Sequence, residues 1–121
     1  MATIGLVLDC ADPRRLATFW TDALHYANLG AAGGYVLLAD EAGKGPNLLL
    51  QQVDEPKVGK NRMHFDLHEA DVDAEVARLE ALGATRVDGP TEEHGSRWVV
   101  MADPEGNEFC LVYETAQGTT G

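Results

Sequence analysis

The side chains able to do chemistry concentrate in two short stretches. In Met63 to His68, MHFDLH, strand alternation puts His64, Asp66 and His68 on one face and Phe65 and Leu67 on the other. In Glu108 to Val112, EFCLV, the same alternation sets Glu108 and Cys110 on one face and Phe109 and Leu111 on the other. A histidine beside a carboxylate suits several divalent ions and also suits proton transfer. A cysteine is a nucleophile only where a neighbour stabilises its thiolate. His64 is the candidate neighbour for Cys110, but the charge of Glu108 opposes it, and the expectation is a buried, inert thiol. Arg97 precedes the last hairpin, where a guanidinium can clamp a carboxylate or phosphate in a bidentate pair; solvated loop charge is the competing reading. Gly43-Lys44-Gly45 lacks the glycine spacing and the Ser or Thr of a phosphate loop. Cys10 and Cys110 stand far apart with no CxxC, which excludes a zinc knuckle and a thioredoxin motif.

Those strands need partners, and the chain supplies them in a regular order. Ile4 to Asp9 alternates as a strand. Asp12-Pro13 then starts a helix with Asp12 as N-cap, and Leu16, Phe19, Trp20 and Leu24 form its apolar stripe. Asn28 to Gly34 is glycine-rich and ambiguous, with a short strand beginning near Tyr26 as one option. Tyr35 to Ala39 and Leu48 to Val53 read as strands around a loop from Asp40 to Asn47, and Asp54 to Arg62 reads as a linker. After Met63 to His68, Asp71 caps a helix using Val72, Val76, Leu79 and Leu82, with Gly83 as its stop. Thr85 to Val87 is predicted as a short strand and Asp88 to Ser96 as a loop. The final hairpin, Trp98 to Glu114, turns on Asp103-Pro104-Glu105-Gly106-Asn107.

The second half repeats the first. YVLLAD at Tyr35 to Asp40 matches WVVMAD at Trp98 to Asp103, Leu6-Val7-Leu8 falls on Phe65-Asp66-Leu67, Asp12 on Asp71, and Asn47 on Asn107. The expected fold class is α+β: two βαβββ modules forming a cupped mixed sheet with helices on the outside. A helix and a short sheet do not easily close a core on about 60 residues, so two copies are expected to pack together around a concavity. The expected boundaries are module one at about 1–53, a linker at 54–62, module two at about 63–115 and a disordered tail at 116–121.

The chain has 121 residues, 45% of them hydrophobic, which suffices for one compact domain. Its formal net charge of −11 argues against a nucleic-acid or anionic-membrane partner. The amino terminus has no basic region ahead of its apolar run and no segment approaches spanning length, so a cytoplasmic location with reduced thiols is expected.

The duplicated unit, together with CADPRRLATFW, PKVGKNRMHFDL and ADPEGNEFCLV, resembles the glyoxalase/bleomycin-resistance/dioxygenase (vicinal oxygen chelate) superfamily, and more narrowly its glyoxalase-like domain family. The resemblance covers nearly the whole chain and implies a homodimer with a cleft for a small molecule. In metal-dependent members it implies ligands on the first and last strand of each module. Those stations fall here on Gly5, Leu50, His64 and Cys110, the Leu50 position resting on the Asn47/Asn107 match. Glycine and leucine carry no donor, so the usual four-ligand site is not expected. The resemblance therefore implies a protein that binds a small molecule through His64, Asp66, Glu108, Cys110, Trp98, Tyr35 and Arg97, with no cofactor. The alternative is a lyase, isomerase or dioxygenase using nickel, zinc, manganese or iron held by His64 and Glu108, with Asp66 or Cys110 beside them. A non-catalytic interaction module is the third reading.

Overall fold

The structure, a computed structural model, describes residues 4–114. The tail expected at 116–121 lies outside them. The chain divides between Lys57 and Val58 into two compact units, called here module one and module two. Each is a four-stranded mixed sheet with one helix.

Module one runs β1 (Leu6–Cys10), α1 (Pro13–Leu24), β2 (Ala27–Ala32), β3 (Tyr35–Ala39) and β4 (Leu48–Gln52), with the sheet ordered β1-β4-β3-β2. Asp12 caps α1, its carboxylate accepting the Arg15 N–H at 3.2 Å, and Pro13 occupies the first turn. The helix buries Leu16, Ala17, Phe19, Trp20 and Ala23. Phe19 and Trp20 meet edge to face at 5.0 Å. Against this stripe lie Val36, Leu38, Leu48 and Leu50, all at most 2% exposed, and each such side chain contributes roughly 1.5–3 kcal/mol.

Module two repeats the path as β5 (Phe65–Glu69), α2 (Val72–Ala81), β6 (Thr85–Glu93), β7 (Ser96–Ala102) and β8 (Glu108–Tyr113), ordered β5-β8-β7-β6. Asp71 caps α2 through the Ala74 N–H at 3.1 Å, and Val72, Val76 and Leu79 are buried. In both modules the first strand pairs in parallel with the last. Val7 lies opposite Leu49 as Asp66 lies opposite Cys110, and Tyr35 opposite Gln51 as Trp98 opposite Val112.

These pairings correct one alignment made from the sequence. Leu49, and not Leu50, is the counterpart of Cys110, because the loop between β3 and β4 is longer than its module-two equivalent and the Asn47/Asn107 match slips by one residue. A slip of one reverses the face on which a side chain stands. Leu50 is fully buried on the α1 side.

One further expectation gives way, and one open reading is decided. The loop expected from Asp88 to Ser96 is largely strand: β6 extends to Glu93, with register shifts at Arg86/Asp88 and Asp88/Thr91. Pro90 is tolerated because β6 is an edge strand, where a missing N–H need cost no ladder bond. Gly89 is required there, since its φ is 101° and a Cβ would stand 3.0 Å from the Trp98 carbonyl oxygen. The ambiguous glycine-rich segment is β2, also at an edge, bulged between Asn28 and Gly30.

The repeated Ala-Asp has a physical role in each module. Asp103, 3% exposed, accepts the N–H groups of Glu105 and Asn107 at 2.9 Å each, and Asn107 Nδ2 donates to both carboxylate oxygens at 3.2 and 3.0 Å. Asp40 accepts from Ala42, Lys44 and Gly45 at 2.9, 3.1 and 2.8 Å, and these backbone donors hold its carboxyl below the usual carboxylate range. Asp103→Ala would orphan several donors in the turn, and urea unfolding is expected to show a loss of about 3 kcal/mol, or a fall in Tm of roughly 10 °C. Asp40→Ala, at an open loop, is expected to cost less.

Candidate functional site on the module-two sheet

The site grows from the parallel pairing of β5 with β8. Phe65, Leu67, Phe109, Leu111, Val99 and Met101 share the face that α2 covers, and the Tyr113 hydroxyl donates to Asp73 Oδ1 on that helix at 3.2 Å. By alternation Asp66, His68, Glu108, Cys110, Val112, Val100 and Trp98 stand on the opposite face. His64, one residue ahead of β5, has the same parity.

The donor atoms of His64, Asp66 and Cys110 all lie within 4.8 Å of one another. His64 Nε2 stands 3.2 Å from Asp66 Oδ1, with side chains 42% and 40% exposed. Cys110 is only 9% exposed. Glu108, next along the strand on the same face, is held by Lys60 Nζ at 3.1 Å, and its N–H donates to Asn61 Oδ1 at 3.3 Å. Burial pushes the Cys110 thiol up, the negative charges of Asp66 and Glu108 push it further, and Lys60 partly offsets them.

Of the residues singled out in the sequence, His64, Asp66 and Cys110 form one cluster, Glu108 stands beside them, and half-buried Trp98 lies on the same face two residues from Val100, the β7 partner of Cys110. Arg97 points the other way, its guanidinium 4.3 Å above the Tyr113 ring on the α2 side, and so does not join them. Tyr35 belongs to module one, where it borders a recess of about 340 Å³ together with Arg14, Gly33 and Gln52. His68 is exposed on the cluster's face. Lys60 and Asn61 were legible only as linker residues. They meet Glu108 across 48 and 47 residues of sequence, a contact without any local signature.

The four stations that the resemblance implies fall, after the correction above, on Gly5, Leu49, His64 and Cys110. Two of these carry no donor.

Two mixed sheets of identical strand order, each with a helix on one face, are the architecture that carries the cluster. A family model described as glyoxalase-like domain matches residues 5–112, and the chain belongs to that family. Among solved structures, a glyoxalase/bleomycin resistance protein/dioxygenase from Nocardioides superposes with TM-score 0.76 at 19% identity, over 100% of this chain and 89% of that one. A family enzyme from Burkholderia phytofirmans PsJN gives 0.75 at 16% identity, over 89% and 94%. Hypothetical protein SA1046 from S. aureus gives 0.74 at 17%, over 93% and 94%. At such identities the likeness is one of fold. No curated protein matches the sequence significantly. Among the described residues no helix is long and apolar enough to cross a membrane.

The surroundings of Cys110 make its thiol slow to react. In a Cys10→Ala background, alkylation by iodoacetamide at neutral pH is expected to be much slower in the native protein than in urea. Asp66→Asn, which removes one opposing charge, is expected to speed the native reaction several-fold.

Proposed function

We propose that the chain binds an organic small molecule against the face of the module-two sheet that α2 leaves uncovered, without the four-ligand metal site of its catalytic relatives. The observation that carries this reading is the convergence of His64, Asp66 and Cys110 within 4.8 Å, on the face that also bears half-buried Trp98. Ligand sites combine an apolar or aromatic wall with a few polar anchors. Here Trp98 and Val100 supply the wall, and His64, Asp66 and the Lys60–Glu108 pair supply the anchors. Ligands with an aromatic ring and a hydrogen-bonding group are the matching class. The divalent-metal lyase, isomerase or dioxygenase reading has the same cluster in its favour, but Gly5 and Leu49 leave it half its expected donors.

Thermal denaturation against a panel of aromatic metabolites and antibiotics, with chelator present, tests the binding reading. A true ligand at 100 times its Kd stabilises by about 2.7 kcal/mol. That stabilisation is expected to vanish in His64→Ala and Trp98→Ala, each checked for native circular dichroism. A panel without any shift would leave the interaction-module reading in its place.

The chain is further proposed to act as a homodimer. Val7 and Tyr35, 55% and 45% exposed on the face of the module-one sheet away from α1, are apolar surface that a second copy would cover. Light scattering is expected to give twice the 13.0 kDa chain mass, and Val7→Asp with Tyr35→Asp to return the monomer.

A further inference from the structure

We infer that the module-one recess of about 340 Å³, between the first turn of α1 and the ends of β3 and β4, is a second ligand site that takes a small aromatic carboxylate and holds it through Arg14. It is independent of whether an organic ligand binds the uncovered face of module two.

The duplication is the first reason. Tyr35 lies opposite Gln51 as Trp98 lies opposite Val112, so Gly34 and Gln52 of module one answer Arg97 and Tyr113 of module two. The Gln52 N–H donates to the Gly34 carbonyl at 2.7 Å, and a Cβ on Gly34 would stand 3.3 Å from the Gln52 Cβ, the cross-strand position from which Arg97 reaches Tyr113. The helix caps align Asp12 with Asp71, which sets Arg14 against Asp73. In module two this corner is occupied by side chains: the Tyr113 hydroxyl donates to Asp73 Oδ1 at 3.2 Å, and the Arg97 guanidinium covers the ring at 4.3 Å. Module one has neither the ring nor its cover, because Gly34 lacks a side chain and Gln52 lacks a ring. The corner is therefore open, and it is the recess bordered by Gly33 and Gln52.

The side chains that occupy the corner in module two show what module one can accept. A ring entering the recess takes the place that Tyr113 has in module two and lies against Pro13 and Val36, both buried. Its head group meets Arg14 where the Tyr113 oxygen meets Asp73, and the charge there is reversed. A guanidinium donates two parallel N–H bonds to a carboxylate, so an anionic head group replaces the phenolic hydroxyl. The Arg14 guanidinium makes no hydrogen bond or ion pair with the described residues, which leaves those donors available. Asp12 also borders the recess, its Oδ1 accepting the Arg15 N–H at 3.2 Å, and its charge disfavours a second negative charge on the ligand. A monoanionic carboxylate is thus preferred to phosphate. Size agrees, since a cavity of roughly 150 Å³ holds a benzene ring and ligand pockets begin at roughly 300 Å³; the recess has room for one ring and its head group.

Titration of the full chain with benzoate, followed by the amide resonances in two-dimensional NMR, tests the site. Expected are saturable shifts of the Gly33, Gly34 and Gln52 amides. Benzyl alcohol keeps the ring without the charge and inorganic phosphate the charge without the ring; each should bind about tenfold more weakly than benzoate or worse. Arg14→Gln should weaken benzoate by about the same factor, through loss of hydrogen bonds between charged groups. Gln52→Tyr, which supplies the ring that module two carries, should block benzoate while leaving Arg14 in place. Both side chains are exposed, and each variant is checked for native circular dichroism. No saturable shift at these amides, equal affinity in wild type and Arg14→Gln, unimpaired binding in Gln52→Tyr, or phosphate binding as tightly as benzoate would overturn the assignment. Stabilisation by the organic panel is read on His64→Ala and Trp98→Ala, and benzoate on Arg14→Gln and Gln52→Tyr, so failure at either site is distinguished from failure at the other.

Discussion

The carboxylate of Asp103 is the interaction on which the strand register of module two depends. By gathering the N–H groups of Glu105 and Asn107 and the amide of Asn107 into one buried knot, it sets where β8 begins. Ala102 is then opposite Glu108, Val100 opposite Cys110, and Cys110 opposite Asp66. A turn longer or shorter by one residue would send Cys110 and Glu108 to the α2 side and bring Phe109 and Leu111 out. Asp40 makes the equivalent knot in module one around a longer loop, and there the return strand presents Leu49 where module two presents Cys110.

Charge on the module-two face is arranged in pairs that divide the work. Lys60 neutralises Glu108, and Asn61 accepts from the Glu108 backbone, so the segment ahead of β5 is tied to the first residue of β8. Asp66 has His64 as its partner at 3.2 Å. Cys110 lies below these groups, nearly buried and facing negative neighbours, which keeps it in the thiol form. Such a sulfur is a poor nucleophile.

The two modules show how duplication separates fold from chemistry. Strand order, helix caps, parallel first-to-last pairing and the aspartate knots are the same in both. The donor-bearing positions are not, since Gly5, Val7 and Leu49 stand where module two has His64, Asp66 and Cys110. The shared positions are those the backbone needs, and the divergent ones lie on the faces that the helices do not cover.

Most of the architecture was legible in the chain because its signals are local. Asp-Pro and Asp caps, the αα-spaced stripes, the alternation in Phe65 to Leu67 and the Ala-Asp turn residues act within a few residues of themselves, and the repeat doubled each signal. The same alternation placed His64 with Asp66, and Glu108 with Cys110. What failed locally was β6, where Gly89 and Pro90 look like a break, yet an edge strand absorbs them through bulges. Only tertiary structure decided the rest. Whether Leu49 or Leu50 answers Cys110 depends on inter-strand register across a loop of unequal length. The approach of Lys60 to Glu108 and the turning of Arg97 onto Tyr113 depend on contacts between strands far apart in sequence. Sequence alone specifies which face a side chain shares with its neighbours two residues away, and pairing between strands determines which other residues it meets there.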